Sequence, residues 1–281
     1  MTPLLKKVTP EFIKKEVRKL KLQRQLNSRV LWERTLAQAR LNSKNAEDAG
    51  FVTSINSADY YYPERSSFEY LVREFLVRET LNFRSDRENP NIIDCGANIG
   101  ISTIFFKSIF PSATVTAFEP DPDLFRFLTK NCASLDGVEL IEAAVWTEET
   151  TLQFQRAGLL GSHFSHLSEK PGPGAEIEVK TARLSSYLES PVDLLKIDIE
   201  GAEFEVLKDC REFLSNVKNL FVEAHTFPDR PQRLAELFTL IEESGFRVHI
   251  HSSMEESQPF LSVSEHNGKD LRLNLFCYRP N

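Results

Sequence analysis

The sequence predicts an α/β fold, a doubly wound and mostly parallel sheet with a helical extension before it. Three observations carry this expectation. From Asn91 onward, short apolar segments alternate with segments of helical period, as the βα units of a parallel sheet do. The first strand and helix are joined by Cys95-Gly96-Ala97-Asn98-Ile99-Gly100, where Gly96 and Gly100 permit positive φ and close backbone approach. Two closing strands follow each other without a helix of normal length between them, so the last is expected to run antiparallel.

At 281 residues, with 41% hydrophobic and 27% charged side chains, the chain can build a normal core for one domain plus an extension. No apolar run approaches the length of a bilayer span, and residues 1–30 lack the apolar stretch of a signal peptide. Cys95, Cys132, Cys210 and Cys277 are scattered, without CxxC spacing, and read as reduced thiols in a cytoplasmic protein. Net charge is −7 but uneven: residues 1–50 carry 12 Lys/Arg against 5 Asp/Glu, leaving 22 against 36 for the rest. The basic arm has no interleaved aromatics, so pairing with the acidic body or a second subunit is preferred over nucleic acid.

Thr9-Pro10 is a helix start, and a loose apolar stripe predicts one or two helices over residues 10–42. Asn42–Asp48 reads as a polar linker. Residues 1–60 are therefore taken as a basic helical extension that forms a cap or a homo-oligomer contact, and residues 61–281 as the main domain. Ser66-Ser67 signals a helix over residues 67–82. Tyr60, Tyr61 and Tyr62 just before it either plug the core or line the mouth of the central unit. Asn91–Asp94 is the first strand and Ile101–Phe110 its helix. Val115–Phe118 follows, then a helix capped by Asp121 with Pro122 in its first turn. Val138–Val145 is the third strand. Thr151–Gln155 and Glu176–Arg183 alternate as a hairpin pair, with a glycine-rich loop between that holds His163 and His166. Asp193–Asp198 is the fourth strand, Ala202–Phe213 a helix, and Asn219–Ala224 the fifth strand. Pro231–Ser244 is a helix closed by Gly245. Phe246–His251 and Leu271–Tyr278 are the closing strands, and His249, His251 and His266 read as surface residues.

The acids point to chemistry. Asp94 ends the first strand and Glu119 the second, 25 residues on. An acid about 20 residues beyond a glycine turn is placed for a ribose diol. Asn98 stands where a dinucleotide motif has its second glycine, and Asp94 would repel a phosphate. Both favour a phosphate-free, cationic nucleoside cofactor such as S-adenosylmethionine. Asp198 and Glu200 lie two residues apart at the end of the fourth strand, as do Glu223 and His225 at the end of the fifth. His225 has the ordinary pKa of a general base. The same four side chains suit a divalent cation, although their spacing is no diagnostic metal motif. Glu203 opens a helix, where an acid stabilises the dipole.

Ile93-Asp-Cys-Gly-Ala-Asn-Ile-Gly100, Ala117-Phe-Glu-Pro120, Leu194-Leu-Lys-Ile-Asp-Ile-Glu-Gly-Ala-Glu203 and Val222-Glu-Ala-His225 together resemble the FkbM family of S-adenosylmethionine-dependent methyltransferases. The likeness covers about residues 90–250. It implies a seven-stranded class I methyltransferase sheet with the last strand antiparallel. It also implies methyl transfer to a hydroxyl of a small molecule, polyketide or sugar, leaving S-adenosylhomocysteine. Carried over by position, Asp94, Gly96 and Gly100 hold the methionine end with help from Asn98. Glu119 takes the ribose, and Ala143 and Ala144 lie by the adenine. His225, Asp198 and Glu200 are the candidate catalytic residues. The rivals are a nucleotide-dependent oxidoreductase, a base methyltransferase lacking its Asn/Asp-Pro-Pro turn, and a non-catalytic module.

Overall fold

The computed structural model describes residues 44–46, 50–55, 58–156, 162–165, 174–252, 260–261, 265 and 268–280. The helices expected over residues 10–42, and any subunit contact through them, lie outside this set, as do His166 and His266. The extension ends in strands. β1 (Lys44–Ala46), β2 (Gly50–Ile55) and β3 (Ala58–Tyr62) form an antiparallel meander across the stretch read as linker and helix. The reason is period two rather than 3.6: Tyr60 and Tyr62 point inward and Tyr61 lies between them. Tyr62 stacks on Phe68, ring centroids 4.1 Å apart, so these tyrosines fill the core rather than the mouth of a site.

Helix α1 (Arg65–Leu71) is capped by Glu64, whose carboxylate accepts from the amides of Ser66 and Ser67, so the serines are capped rather than capping. The helix continues as π-type turns over Val72–Val77 and ends there. β4 (Asn91–Cys95), α2 (Ile101–Ile109), β5 (Thr114–Phe118), α3 (Pro122–Cys132) and β6 (Val138–Ile141) then alternate as expected. The third strand stops early. The Ala143 amide donates to Ile141 O at 3.0 Å, a tight turn that sends β7 (Ala144–Trp146) into a second sheet. That sheet has the order β7-β10-β8-β9, with β8 (Thr151–Gln155), β9 (His163–Phe164) and β10 (Glu176–Arg183). β11 (Val192–Ile197), α4 (Glu203–Asp209), β12 (Val217–Thr226), α5 (Leu234–Glu243), β13 (Arg247–Ser252) and β14 (Leu271–Tyr278) complete the chain.

The main sheet has seven strands in the order β13-β14-β12-β11-β4-β5-β6. Its central pairs are parallel, while β14 is antiparallel to both β12 and β13. This is the class I methyltransferase sheet. Every residue of β11 is buried, as befits the centre of a sheet covered on both faces. The order reverses beside β4, so the crevice beyond the strand ends opens there. Among the described residues no helix is long and apolar enough to cross a membrane, and all four cysteines are buried free thiols.

Candidate active site

A cleft lies over the C-terminal ends of β4, β5, β11 and β12, where ligands bind in open α/β sheets. Gly96, Ala97 and Asn98 form its floor at the turn after β4. Asn98 holds φ 56°, tolerable for asparagine, and its amide donates to Glu119 Oε2 at 2.9 Å. The Asp121 amide donates to Glu119 Oε1 at 2.9 Å. The carboxyl of Glu119 is therefore pinned at the cleft wall, and burial raises its pKa to about 8 against those two hydrogen bonds. Ala143 and Ala144 line the neighbouring slot, which the tight turn after β6 brings there.

Two of the expected cofactor residues sit elsewhere. Asp94 is wholly buried and does not line the cleft. Its Oδ2 accepts from Ser102 Oγ and Thr103 Oγ1 at 2.7 and 2.8 Å, and Oδ1 lies 3.2 Å from Lys196 Nζ. Lys196 in turn donates to Gly96 O at 2.9 Å and reaches Asp198 Oδ2 at 3.5 Å. Burial alone would discharge this ammonium, but Asp94 and Asp198 outweigh it and raise its pKa. Asp94 thus contacts Lys196, Ser102 and Thr103 rather than the cleft. Gly100 also lies outside the lining. A Cβ there would stand 2.8 Å from Leu128 Cδ1 and 3.0 Å from Cys132 Sγ, so this glycine serves the packing of α2 on α3.

Asp198, Glu200 and Glu223 do converge on the cleft. Burial, then the neighbouring Glu223, raises Asp198 to about 7. Glu200 takes φ 59°, turning the chain so that its carboxylate meets Lys269 Nζ. His225 lies behind them, off the cleft lining. Its Nδ1 is 2.8 Å from Glu203 Oε1, and its Nε2 is 3.5 and 3.4 Å from Glu200 and Glu223. Burial disfavours the imidazolium, yet these carboxylates raise the pKa well above the usual value. These carboxylates favour the protonated form of His225, whereas the general-base expectation rested on the ordinary pKa of its residue type. Glu203 also accepts from the Gly201 amide at 3.0 Å, a structural role.

Asp198, Glu200 and His225 offer ligand atoms within 4.8 Å of one another, a donor set that suits a divalent cation. Lys269 and His225 already neutralise part of that charge. The sequence reading gave no role to Lys196, which stands directly opposite Asp94 in the β4/β11 ladder. It also missed Tyr70 and Glu74 from the N-terminal helix and Arg272 and Asn274 from β14, which all line the cleft. Those pairings are set only by the folded chain.

The sheet and this acid-lined crevice define a class I methyltransferase. The model of the methyltransferase FkbM domain matches residues 94–248, more than half of the chain; the protein belongs to this family. Methyltransferase sdnD of Sordaria araneosa is 27% identical over 226 residues, covering 67% of this chain and 86% of its own. The 31-O-demethyl-FK506 methyltransferase FkbM of Streptomyces tacrolimicus is 27% identical, covering 68% of this chain and 86% of its own. The 2-O-methyltransferase NoeI of Sinorhizobium fredii is 29% identical over 160 residues, covering 49% and 64%.

Proposed function

We propose that the protein is an S-adenosylmethionine-dependent O-methyltransferase acting on a hydroxyl of a small molecule. The observation that carries this is Asp198. It lines the cleft between the Glu119 wall and the β12 wall, and its pKa is about 7. An acid titrating near neutrality is suited to take a hydroxyl proton. When bound, the cofactor supplies a methyl group on a cationic sulfur and leaves as a neutral thioether. Glu119 accepts from ribose hydroxyls, Ala143 and Ala144 leave room for the base, and the Gly96–Asn98 turn faces the methionine end. The donor set fits: no phosphate-binding glycine pattern is present, and the wall carries acids suited to a cation. Lys196 holds Asp198 in place, and Asp198 receives the proton as the acceptor oxygen gains its methyl group. His225 positions Glu200 and Glu223 from behind. The names of NoeI and the Streptomyces relative, both O-methyltransferases, support the choice of oxygen.

Calorimetric titration with S-adenosylhomocysteine, and separately with NAD, tests the reading. Saturable binding of the first alone is expected. Binding of neither by folded protein, or of NAD alone, overturns it.

A further inference from the structure

His249 and His251 lie outside the cleft lining, and methyl transfer gives them no task. Both belong to β13, two residues apart and so on one face of the strand. β13 is the outer strand of the seven-stranded sheet, and both imidazoles are exposed. Their Nε2 atoms converge to 3.1 Å. The rings meet edge to face, with centroids 4.8 Å apart and planes at 73°. Phe276, directly across the β13/β14 ladder from His249, packs against both. Its ring centroid is 6.3 Å from that of His249 and 5.2 Å from that of His251. One strand and one aromatic neighbour thus hold two exposed nitrogen ligands side by side.

The spacing suits a shared ion. Two imidazole nitrogens bound at about 2.0–2.1 Å stand about 2.9 Å apart at a right angle and about 3.4 Å apart at a tetrahedral one. The 3.1 Å between these Nε2 atoms lies inside that range, so an ion enters with little movement of the rings. Without an ion, one Nε2–H donates to the other Nε2. Loading shifts that proton to Nδ1 of the same ring, so both Nε2 lone pairs face the ion and no net proton is released. Donor chemistry selects the metal. Imidazole suits Cu²⁺, Ni²⁺ and Zn²⁺, whereas Mg²⁺ and Ca²⁺ prefer oxygen. Among the described residues no third His, Cys, Asp or Glu joins the pair, so water fills the remaining positions. In this the pair differs from Asp198, Glu200 and His225, where carboxylates predominate.

We propose that His249 and His251 form a surface binding site for a late first-row transition-metal ion, with Cu²⁺ held more tightly than Ni²⁺ or Zn²⁺. Once one imidazole has bound, the second bond is intramolecular, which multiplies the affinity of a single ligand about 10²- to 10⁴-fold. The site is separate from the cleft and depends on neither the cofactor nor the acceptor assignment.

The test uses the untagged full chain, calorimetry with CuCl₂ and NiCl₂, and electron paramagnetic resonance of the copper complex at one equivalent. The tightest Cu²⁺ should bind saturably, more tightly than Ni²⁺, with splitting from two nitrogens in its spectrum. His249→Ala and His251→Ala should each weaken that binding about 100-fold or more, because either change leaves a single imidazole. Both variants should keep the wild-type circular dichroism, since the rings are exposed. Glu200→Gln, in the cleft cluster, should leave the tightest Cu²⁺ in place. Retention of that ion by both histidine variants, its loss in E200Q instead, or no saturable Cu²⁺ binding by the wild type overturns the proposal.

Discussion

Lys196 and Asp94 form an ion pair, Nζ to Oδ1 3.2 Å, with both side chains sealed from solvent. Through the further contacts of Lys196 to Gly96 O and Asp198, one ammonium ties the turn after β4 to the end of β11. Breaking a buried pair leaves its partner uncompensated, at about 3–5 kcal/mol. Lys196→Met is therefore expected to lower Tm sharply, and the double variant D94N/K196M to recover part of the loss. Thermal melts of the three proteins decide this; an unchanged Tm for K196M refutes it.

Glu119 should make cofactor affinity depend on pH. Its carboxyl titrates near 8 in the free cleft, while hydroxyl donors favour the ionised form. Binding then releases a proton, so affinity for S-adenosylhomocysteine rises as pH climbs toward about 8 and levels off above. Glu119→Ala should flatten this profile and weaken binding about 10- to 100-fold, since hydrogen bonds to a charged group are worth about 1.5–3 kcal/mol. Calorimetry at several pH values reads both effects.

Asp198→Asn should reduce turnover about 10²- to 10⁴-fold, the usual worth of a general base, with S-adenosylhomocysteine affinity nearly unchanged. In the wild type, kcat/KM rises with pH through about 7 as Asp198 ionises. D198N should lose that limb. Equal activity of D198N and wild type would remove the proton-transfer role.

His225 should show itself in stability rather than in a base's pH profile. Its folded pKa lies well above the ordinary 6.5, so the folded state binds the proton more tightly. The stabilisation is complete below pH about 6.5 and fades as pH rises through the folded pKa. Tm should fall from neutral to alkaline pH in the wild type. His225→Gln, which leaves Glu200, Glu203 and Glu223 facing one another, should be about 3–5 kcal/mol less stable at neutral pH and lose that alkaline dependence. A wild-type Tm that rises with alkaline pH contradicts the assignment.

Chelation offers a further check. Asp198, Glu200 and His225 have the donors for a divalent cation, but Lys269 and Arg272 already sit against Glu200 and Glu223. Turnover is expected to survive EDTA and to gain nothing from Mg²⁺ or Mn²⁺. A loss restored by one of these ions would assign the cluster to a metal.

The sequence by itself determined the sheet and part of the cleft lining. Strand and helix periods, the glycine turn at Gly96 and the acid at Glu119 are local signals, written in a few consecutive residues. The meander of residues 44–62 was missed where polar residues around Asn45 masked a two-residue period. Tertiary structure alone decided the surroundings of Asp94, Gly100 and His225, because each has partners far along the chain. Lys196 comes to Asp94 across a parallel ladder, Leu128 fills the space beside Gly100, and carboxylates from the turn after β11, from α4 and from β12 itself surround His225. Asn274 came into the cleft the same way, since only antiparallel pairing of β14 with β12 sets it opposite Glu223. A side chain's type states what it can do; burial and the charges packed against it select which of those things it does.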